Sequence, residues 1–172
     1  MGAGYIAIGI AAVVAIFVLL LAASNYANAS LQYRSRGAQG YDFSKSSTDV
    51  AMDVCNPTPF SASFDRLQFV AAYKDSDLAT IKFENGSVPA NAATTVDGAL
   101  QINGKAALAA VFQSFADSLN GKSTGDASMK VKMTSESRLL GLMPMSQSKE
   151  MSGDEFSRMM SGKAGFACPT KG

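Results

Sequence analysis

An uninterrupted apolar run lies near the start of the chain. Residues 6–23 contain no polar side chain, and the first charged residue is Arg34. As an α-helix these residues extend about 27 Å, and a helix begun at Gly2 extends roughly 33 Å, which is enough to cross the ~30 Å hydrocarbon core of a bilayer. The pattern predicts a single transmembrane helix at residues 1–24, followed by a polar stalk at residues 25–47.

From Thr48 onward apolar and polar positions alternate, as they do in strands with one buried face. The alternating runs lie at residues 50–54, 60–64, 67–73, 79–83, 94–102, 129–133 and 139–145. The phase shifts by one residue after Phe64, which predicts a β-bulge near Asp65 and Arg66. The dipeptide Asn85-Gly86 predicts a hairpin turn that ends the strand at residues 79–83.

Two segments have a helical pattern instead. Apolar residues recur with a 3.6-residue period from Leu108 to Leu119 and predict a mid-domain helix at residues 105–120. Near the C-terminus an acidic pair opens a predicted short helix that ends at Met160. Short strands, frequent turns and one mid-domain helix are typical of a mainly β fold, and we predict a small antiparallel β-sandwich.

The composition argues against most classes of enzyme. The chain has 172 residues, with 15 Lys and Arg against 14 Asp and Glu, and it has no His to serve as a base or metal ligand. It contains no nucleophile elbow, phosphate-binding glycine loop or Cys-x-x-Cys pair. A net charge near zero without a basic block argues against nucleic acid as a partner. We therefore expect no catalytic residues, no cofactor and no metal.

Two weaker signals for metal binding have simpler structural explanations. Seven of the nine methionines lie between Met129 and Met160, and thioethers can hold Cu(I). The alternation of Met129 and Met133 with lysines, however, is what core packing of a strand requires. The pair Asp75 and Asp77 is equally typical of a turn.

The apolar run is best interpreted as an uncleaved signal-anchor. Residues 27–29, Ala-Asn-Ala, fit a signal peptidase site, but the run is longer than a usual signal core and lacks basic residues before it. Arg34 and Arg36 follow the run and by themselves would place the domain in the cytoplasm. The single anchor, the cysteine pair and the Ser-, Thr- and Asn-rich body favour export. We expect a single-pass protein of the cell membrane with an extracytoplasmic C-terminal domain.

Three residues are candidates for covalent chemistry in an exported domain. Cys55 and Cys168 are the two cysteines, and an even count indicates one disulfide, with two reduced thiols as the alternative. Asn85 opens the sequon Asn-Gly-Ser and is a candidate acceptor for N-glycosylation.

A stripe of small residues runs along the apolar helix. Ala3, Ala7, Ala11 and Ala15 recur at i, i+4 spacing. Small residues in register allow a second helix to approach closely, so the stripe predicts packing against protein partners or other copies of the chain. The abundance of alanine in the run is the alternative explanation.

The segment VCNPTPFSASFDRLQFVAAYKDSDLATI resembles the Water stress and Hypersensitive response domain of group 2 late embryogenesis abundant proteins. The resemblance lies in the order of parts: a strand ending in Asn56-Pro57, a strand in which Ser alternates with apolar residues, a mid-domain helix, and Leu-Gly-Leu-Met-Pro at residues 140–144. It covers residues 48–150 and leaves an extension at residues 151–172. The resemblance implies an immunoglobulin- or fibronectin-like sandwich without catalytic residues.

Two hypotheses for function follow. The first is a non-catalytic, membrane-anchored extracytoplasmic domain that acts in interaction or in stress protection of the cell envelope. The second is a structural subunit of a pilus-like filament, or an accessory subunit of a larger membrane complex, held through the N-terminal helix. A copper binder using the methionine-rich C-terminal third ranks last.

Overall fold

The computed structural model describes residues 3–38, 47–74, 76–105, 107, 129–139 and 143–168, and within the N-terminal helix it describes side chains from Val14 onward. Helix α1, Ala3–Ala29, leads into the β-domain. The strands are β1 Gln32–Ala38, β2 Ser47–Asn56, β3 Ala62–Tyr73, β4 Ser76–Val88, β5 Ala92–Ile102, β6 Met129–Leu139 and β7 Met143–Ser152, and helix α2, Gly153–Met160, follows β7.

The described strands form one antiparallel sheet with the order β1-β2-β5-β4-β3-β6-β7, which confirms the mainly β antiparallel prediction. Among the described residues, the half formed by β1, β2 and β5 is joined to the half formed by β4, β3, β6 and β7 where residues 79–83 of β4 pair with residues 98–102 of β5. The remaining residues of β5 pair with β2, and those of β4 pair with β3, so the sheet curls around its core. An immunoglobulin-like sandwich of two separate sheets stays a prediction.

The core lies inside this curl and is centred on Phe69 of β3. Its ring meets Tyr33 of β1 edge-on at 5.9 Å, Phe83 of β4 at 6.4 Å and Phe156 of α2 at 5.6 Å between centroids. Because β1 is one edge of the sheet and β3 is near the other, the contact with Tyr33 closes the curl. Helix α2 contacts β1, β6 and β7 and thus bridges both edges.

Both predicted helices of the β-domain begin where expected. Residues 104 and 105 are helical, and the Ala107 N–H donates to the Asn103 carbonyl at 2.8 Å, while most of the predicted helix at 105–120 lies outside the described residues. Helix α2 starts after Ser152, whose hydroxyl accepts from the Glu155 N–H at 3.2 Å. Ser152 is therefore an N-cap, which confirms the short C-terminal helix.

The prediction of a hairpin turn at Asn85-Gly86 is wrong. Strand β4 continues through both residues to Val88, with Gly86 opposite Phe64 of β3. Asn85 has a φ of 54°, in the left-handed region that Asn tolerates, so the strand turns there without ending. The chain reverses instead after Val88, where Asn91 has a φ of 51°.

The β-bulge predicted near Asp65 and Arg66 is wrong in its position. On β3 the buried side chains do change phase, from Phe64 to Leu67, leaving Asp65 and Arg66 between them. Pairing with β4 keeps its register there, and the irregularity of the β3–β4 ladder lies instead between Ala71 and Ala72. The phase change coincides with Asn85 of β4, whose φ of 54° departs from extended backbone.

The sequence pattern assigned no strand to β1, one edge of the sheet, and covered only the first three residues of β7, the other edge. Strand β1 lies inside the segment interpreted as a stalk, residues 25–47, and β7 includes the polar residues 146–152. Within the extension at residues 151–172, the described residues 151–168 are also part of the folded domain, since Phe156 and Met159 pack against the core.

Helix α1 forms over the segment that the apolar run predicts. It is 27 residues long, and two residues separate it from β1. Counting only the described residues, whose side chains in α1 begin at Val14, no helix is both long and apolar enough to cross a membrane.

Candidate functional site

The first candidate site is the part of α1 that projects from the β-domain. Residues 14–20 are all exposed, and the large side chains among them are exposed by 39–68%. Because each residue of a helix advances about 100°, seven consecutive residues cover every side of it. This part of α1 therefore presents apolar surface in all directions and packs no face against the sheet.

The last two turns of α1, by contrast, are fixed in the β-domain. Ala27 is fully buried in the core. The Asn28 amide donates to the Ser137 hydroxyl of β6 at 3.5 Å, and the Gln147 amide of β7 donates to the Asn25 side-chain carbonyl at 3.2 Å. Packing and hydrogen bonds therefore hold the helix in one orientation relative to the sheet.

Two predicted sites concern α1 and β4. The helical backbone carries the alanine stripe, but the side chains of Ala3, Ala7 and Ala11 lie outside the described ones, and Ala15 is exposed. Asn85 is exposed on β4 rather than at a hairpin tip, so its amide is accessible. Glycosylation of Asn85 and packing of the stripe stay predictions.

An ion-pair cluster around the buried carboxylate of Asp53 lies on the outer face of β1, β2 and β5. Asp53 of β2 accepts hydrogen bonds from Arg34 Nη2 at 2.7 Å, Arg36 Nε at 2.7 Å and Thr95 Oγ1 at 2.8 Å. The strand register puts Arg34 and Thr95 directly opposite Asp53, one on each neighbouring strand. Both carboxylate oxygens are thus satisfied, although the side chain is only 5% exposed.

The surroundings of Asp53 keep it ionised. Burial by itself acts to raise the pKa of the Asp53 carboxyl, but hydrogen bonds from Arg34, Thr95 and Arg36, with the charge of Arg36, hold that pKa below its ordinary value. A carboxyl that is charged throughout the neutral range does not exchange protons there. The cluster therefore suits a structural role rather than acid–base chemistry.

The C-terminal segment, residues 161–168, runs over this cluster along β1. The Phe166 ring lies over the Arg34 guanidinium, with 4.4 Å from Cζ to the ring centroid. The Ala167 N–H donates to the Gln32 side-chain carbonyl at 2.7 Å. Beyond it Cys168 forms a disulfide with Cys55 of β2, with 5.6 Å between the Cα atoms, which confirms the predicted bridge.

Asn56, at the end of β2, holds three segments of chain together. Its buried amide nitrogen donates to the carbonyls of Phe60, Val88 and Pro89 at 2.7, 3.2 and 3.2 Å. Its oxygen accepts from the backbone N–H and the hydroxyl of Thr58 at 3.1 and 2.7 Å. This is the structural role that an Asn before Pro57 suggests, and it fixes the backbone of residues 57–61.

A shallow groove lies beside the ion-pair cluster, but its lining gives it no clear chemistry. It has a volume of about 550 Å³ and is bordered by Arg36, Asp49, Thr95 and Asp97. Arg36 and Thr95 are already bound to Asp53. Within the part of the chain that the structure describes, no group of three or more His, Cys, Asp or Glu side chains is placed to hold a metal ion.

The Asp53 cluster is the feature that the sequence pattern missed. Alternation places Asp53 on the polar side of its strand, where it would be read as solvent-exposed. An Arg-x-Arg pair at positions 34 and 36 is a weak signal for a carboxylate partner. It could not be assigned before the pairing of β1 with β2 was known.

Comparisons with known proteins give distant similarities. No protein-family model matches the chain, and no curated protein matches it. Among solved structures, a protein from Archaeoglobus fulgidus is similar with a TM-score of 0.44 and 12% identity over 72% of this chain and 94% of that one. A solution structure of a protein described as late embryogenesis abundant (LEA) is similar with a TM-score of 0.28 and 12% identity over 81% of this chain and 84% of that one.

Proposed function

We propose that this chain is a non-catalytic membrane-anchored protein in which α1 crosses the bilayer and the β-domain acts by interaction on the extracytoplasmic side. The observation that carries the proposal is the apolar exposure of residues 14–20 on every side of the helix. These residues belong to an uncharged apolar run that begins at residue 6. The part of α1 that precedes its contacts with the β-domain, residues 3–24, is about 33 Å long, which exceeds the ~30 Å hydrocarbon core.

The free energy of leaving this surface in water supports an apolar environment. Burial of one large aliphatic or aromatic side chain is worth about 1.5–3 kcal/mol. Residues 14–20 include six such side chains, and the sheet covers none of them. Exposure of the set to water therefore costs roughly 10 kcal/mol, which is comparable to the whole stability of a small domain.

The disulfide supports the extracytoplasmic side. Bridges of this kind form and persist in oxidising compartments and are rare in the cytosol. The opposing signal, Arg34 and Arg36 after the run, weakens because both are bound to Asp53 as part of the fold. Labelling of intact cells with a membrane-impermeant thiol reagent tests this side: Cys55 and Cys168 label only after reduction by an impermeant phosphine if the domain is outside.

The action of the domain would be protection or partner binding. The resemblance to the Water stress and Hypersensitive response domain implies such a role, and the described polar groups form structural networks rather than a reactive site. In this account the exposed surface of the sheet meets envelope components under stress. Deletion of the gene should then lower survival after drying or osmotic shock, and a chain without residues 6–23 should not restore it.

A second candidate function is a subunit of a pilus-like filament or an accessory subunit of a membrane complex. The observation that favours it is the rigid junction, in which the buried Ala27 and the hydrogen bonds of Asn25 and Asn28 fix the helix relative to the sheet. A regular assembly requires such a fixed angle, whereas a simple tether does not. The alanine stripe would then face neighbouring helices.

The native mass of the full chain, extracted gently from its own membrane with its companions identified, tests these functions. A monomer supports the anchored domain, identical copies in a regular polymer support the filament, and a defined set of other chains supports the accessory subunit. Ala11→Leu on the stripe should disrupt assembly, whereas Ala12→Leu beside the stripe should leave it intact. A chain that needs no detergent to remain dispersed as a monomer would contradict all three.

A further inference from the structure

We propose that the end of the sheet at which α1 joins β1 is a lipid-contacting surface, with loop 57–61 and the start of β7 lying in the membrane interface. This rests on the proposed function, because it requires α1 to lie in the bilayer. It adds a second membrane contact, made by the β-domain itself.

The junction between the apolar run of α1 and the β-domain is short. The apolar run ends at Ala23, and Ala27 is already fully buried in the core of the domain. Helix α1 is continuous across this interval, so the four steps from Ala23 to Ala27 rise only about 6 Å. If the apolar run lies in the bilayer, the β-domain therefore lies directly at the bilayer surface.

The strand register identifies which part of the domain lies at the junction. Gln32 at the start of β1 pairs with Cys55 near the end of β2. Because all neighbouring strands are antiparallel, strand starts and strand ends alternate along this end of the sheet. The starts of β3, β5 and β7 and the ends of β2, β4 and β6 therefore share one end, called here the α1 end. Loop 57–61 and turn 89–91 belong to it.

Three of the stretches of sequence that reach the α1 end are uncharged, and on β1 the first charge, Arg34, is bound to Asp53. Residues 54–64, 85–96 and 139–148 contain no Asp, Glu, Lys or Arg. The nearest charges on β3 and β6 are Asp65 and Arg138, which form an ion pair at 3.3 Å.

The charges nearest the α1 end on these strands lie at the depth of the polar layer of a bilayer. Asp65 lies three residues, or about 10 Å, behind the start of β3, and Arg138, which pairs with it, lies one residue, or about 3 Å, from the end of β6. The polar interfacial layer on each side of a bilayer is about 5–8 Å thick, so this end can enter it with Arg138 held in an ion pair among the lipid headgroups.

The opposite end has a different character. Charged residues stand at or beside its strand ends: Asp49, Lys74, Asp77, Lys105, Lys130 and Glu150. The two ends of the sheet therefore differ in polarity.

Exposed hydrophobic side chains are concentrated at the α1 end. Apart from residues 14–20, the large ones in the described part of the chain are Tyr26, Phe60 and Met143, exposed by 59%, 46% and 48%. Tyr26 follows the apolar run by three residues, Phe60 lies in loop 57–61, and Met143 opens β7. Aromatic residues of this kind are enriched at membrane–water interfaces.

The Phe60 side chain is also presented by a fixed backbone. Its carbonyl accepts from the Asn56 amide at 2.7 Å and from the Thr58 hydroxyl at 3.0 Å. An exposed Phe on an ordered, uncharged loop suits insertion into an interface, because no ordering entropy is lost when it meets lipid.

Fluorescence quenching in vesicles tests the proposal, since the chain contains no Trp and each substitution introduces a single indole. Full-length Phe60→Trp, Met143→Trp, Phe17→Trp and Ser76→Trp are reconstituted in phosphatidylcholine with dibrominated acyl chains. Phe17→Trp reports insertion of α1, and Ser76→Trp, exposed at the opposite end, is the control. We expect the strongest loss of fluorescence for Phe17→Trp, an intermediate loss with a blue shift for Phe60→Trp and Met143→Trp, and none for Ser76→Trp.

The outcomes separate this proposal from the proposed function. Quenching of Phe17→Trp while both Phe60→Trp and Met143→Trp behave like Ser76→Trp would overturn the lipid contact and leave the anchor standing. Absence of quenching for Phe17→Trp would overturn both. Two independent positions on the α1 end keep the test decisive if one variant misfolds.

Discussion

Arg34 and Asp53 face each other across β1 and β2, with 2.7 Å between Arg34 Nη2 and Asp53 Oδ2. Their pairing attaches an edge strand to the sheet, and the Phe166 ring covers the guanidinium on its other side. The same arginine therefore joins β1, β2 and the C-terminal segment. The buried carboxylate is satisfied only while these parts stay in place.

Asp53→Asn should destabilise the β-domain by about 1–3 kcal/mol, because it removes a charged acceptor and leaves two guanidinium groups without their partner. Chemical unfolding of the full chain in detergent micelles measures this change. Asp97→Asn, an exposed carboxylate on neighbouring β5, is the matched control and should shift the midpoint little. Equal effects of the two substitutions would contradict the structural role of Asp53.

The pH dependence of unfolding should report the same carboxyl. The folded-state pKa of Asp53 lies below its unfolded value of about 3.9, so its stabilisation is fully present above that value and is lost as the pH falls through the folded pKa. Wild-type protein should therefore lose more stability between about pH 5 and pH 2 than Asp53→Asn does. Parallel curves for the two proteins would count against the ion pair.

Reduction of the disulfide should lower the free energy of unfolding by about 2–5 kcal/mol, since the bridge closes a long loop in the unfolded chain. Its two cysteines are 113 residues apart. Urea unfolding with and without a dithiol reductant measures the difference. The double variant Cys55→Ser, Cys168→Ser should unfold at the lower urea midpoint with or without the reductant. A wild-type midpoint that does not change when the reductant is added would contradict the prediction.

Asn56→Asp should cost about 2–4 kcal/mol, because it replaces an amide that donates to three carbonyls with a buried acceptor facing them. Asn91→Asp is the control, since that exposed turn residue tolerates either side chain at its positive φ. Thermal unfolding of both variants is sufficient. If both lose the same stability, the hydrogen-bond network around Asn56 is unimportant.

Gly86→Ala should destabilise the protein by about 1–3 kcal/mol because a Cβ at this position would overlap the buried Phe64 ring on the opposite strand. Gly104→Ala should be close to neutral, since a Cβ there meets nothing within 4 Å. The comparison of their unfolding midpoints tests whether β4 continues through Asn85-Gly86. A hairpin turn at that dipeptide would leave the Phe64 ring unaffected.

The sequence pattern located the strands that bury one face against the core. In β2, β3 and β6 the alternating Met52, Phe69 and Val131 all face inward, which is the condition under which a period of two can be detected. Local signals also predicted helix α1, from the apolar run, and the start of α2, from the acidic pair. The even number of cysteines predicted the disulfide.

The edge strands could not be found in this way, because their stability comes from backbone pairing rather than from a buried face. Tyr33 alone faces the core within the described part of β1, and Met151 alone is buried in β7. The Asp53 cluster likewise depends on the register of three strands. Asn85-Gly86 was misread because a residue with positive φ can twist a continuing strand as well as end one.

Alkaline extraction of membranes from cells that make the full chain tests whether α1 anchors the protein in the bilayer. A charged residue near the centre of a spanning helix costs about 2.5–3.5 kcal/mol, so the double variant Val14→Lys, Val18→Lys should be released, whereas Tyr26→Lys, outside the apolar run, should stay with the bilayer. The account predicts that the wild-type chain remains in the membrane pellet. Its recovery in the alkaline supernatant would contradict the assignment of α1 as a membrane anchor.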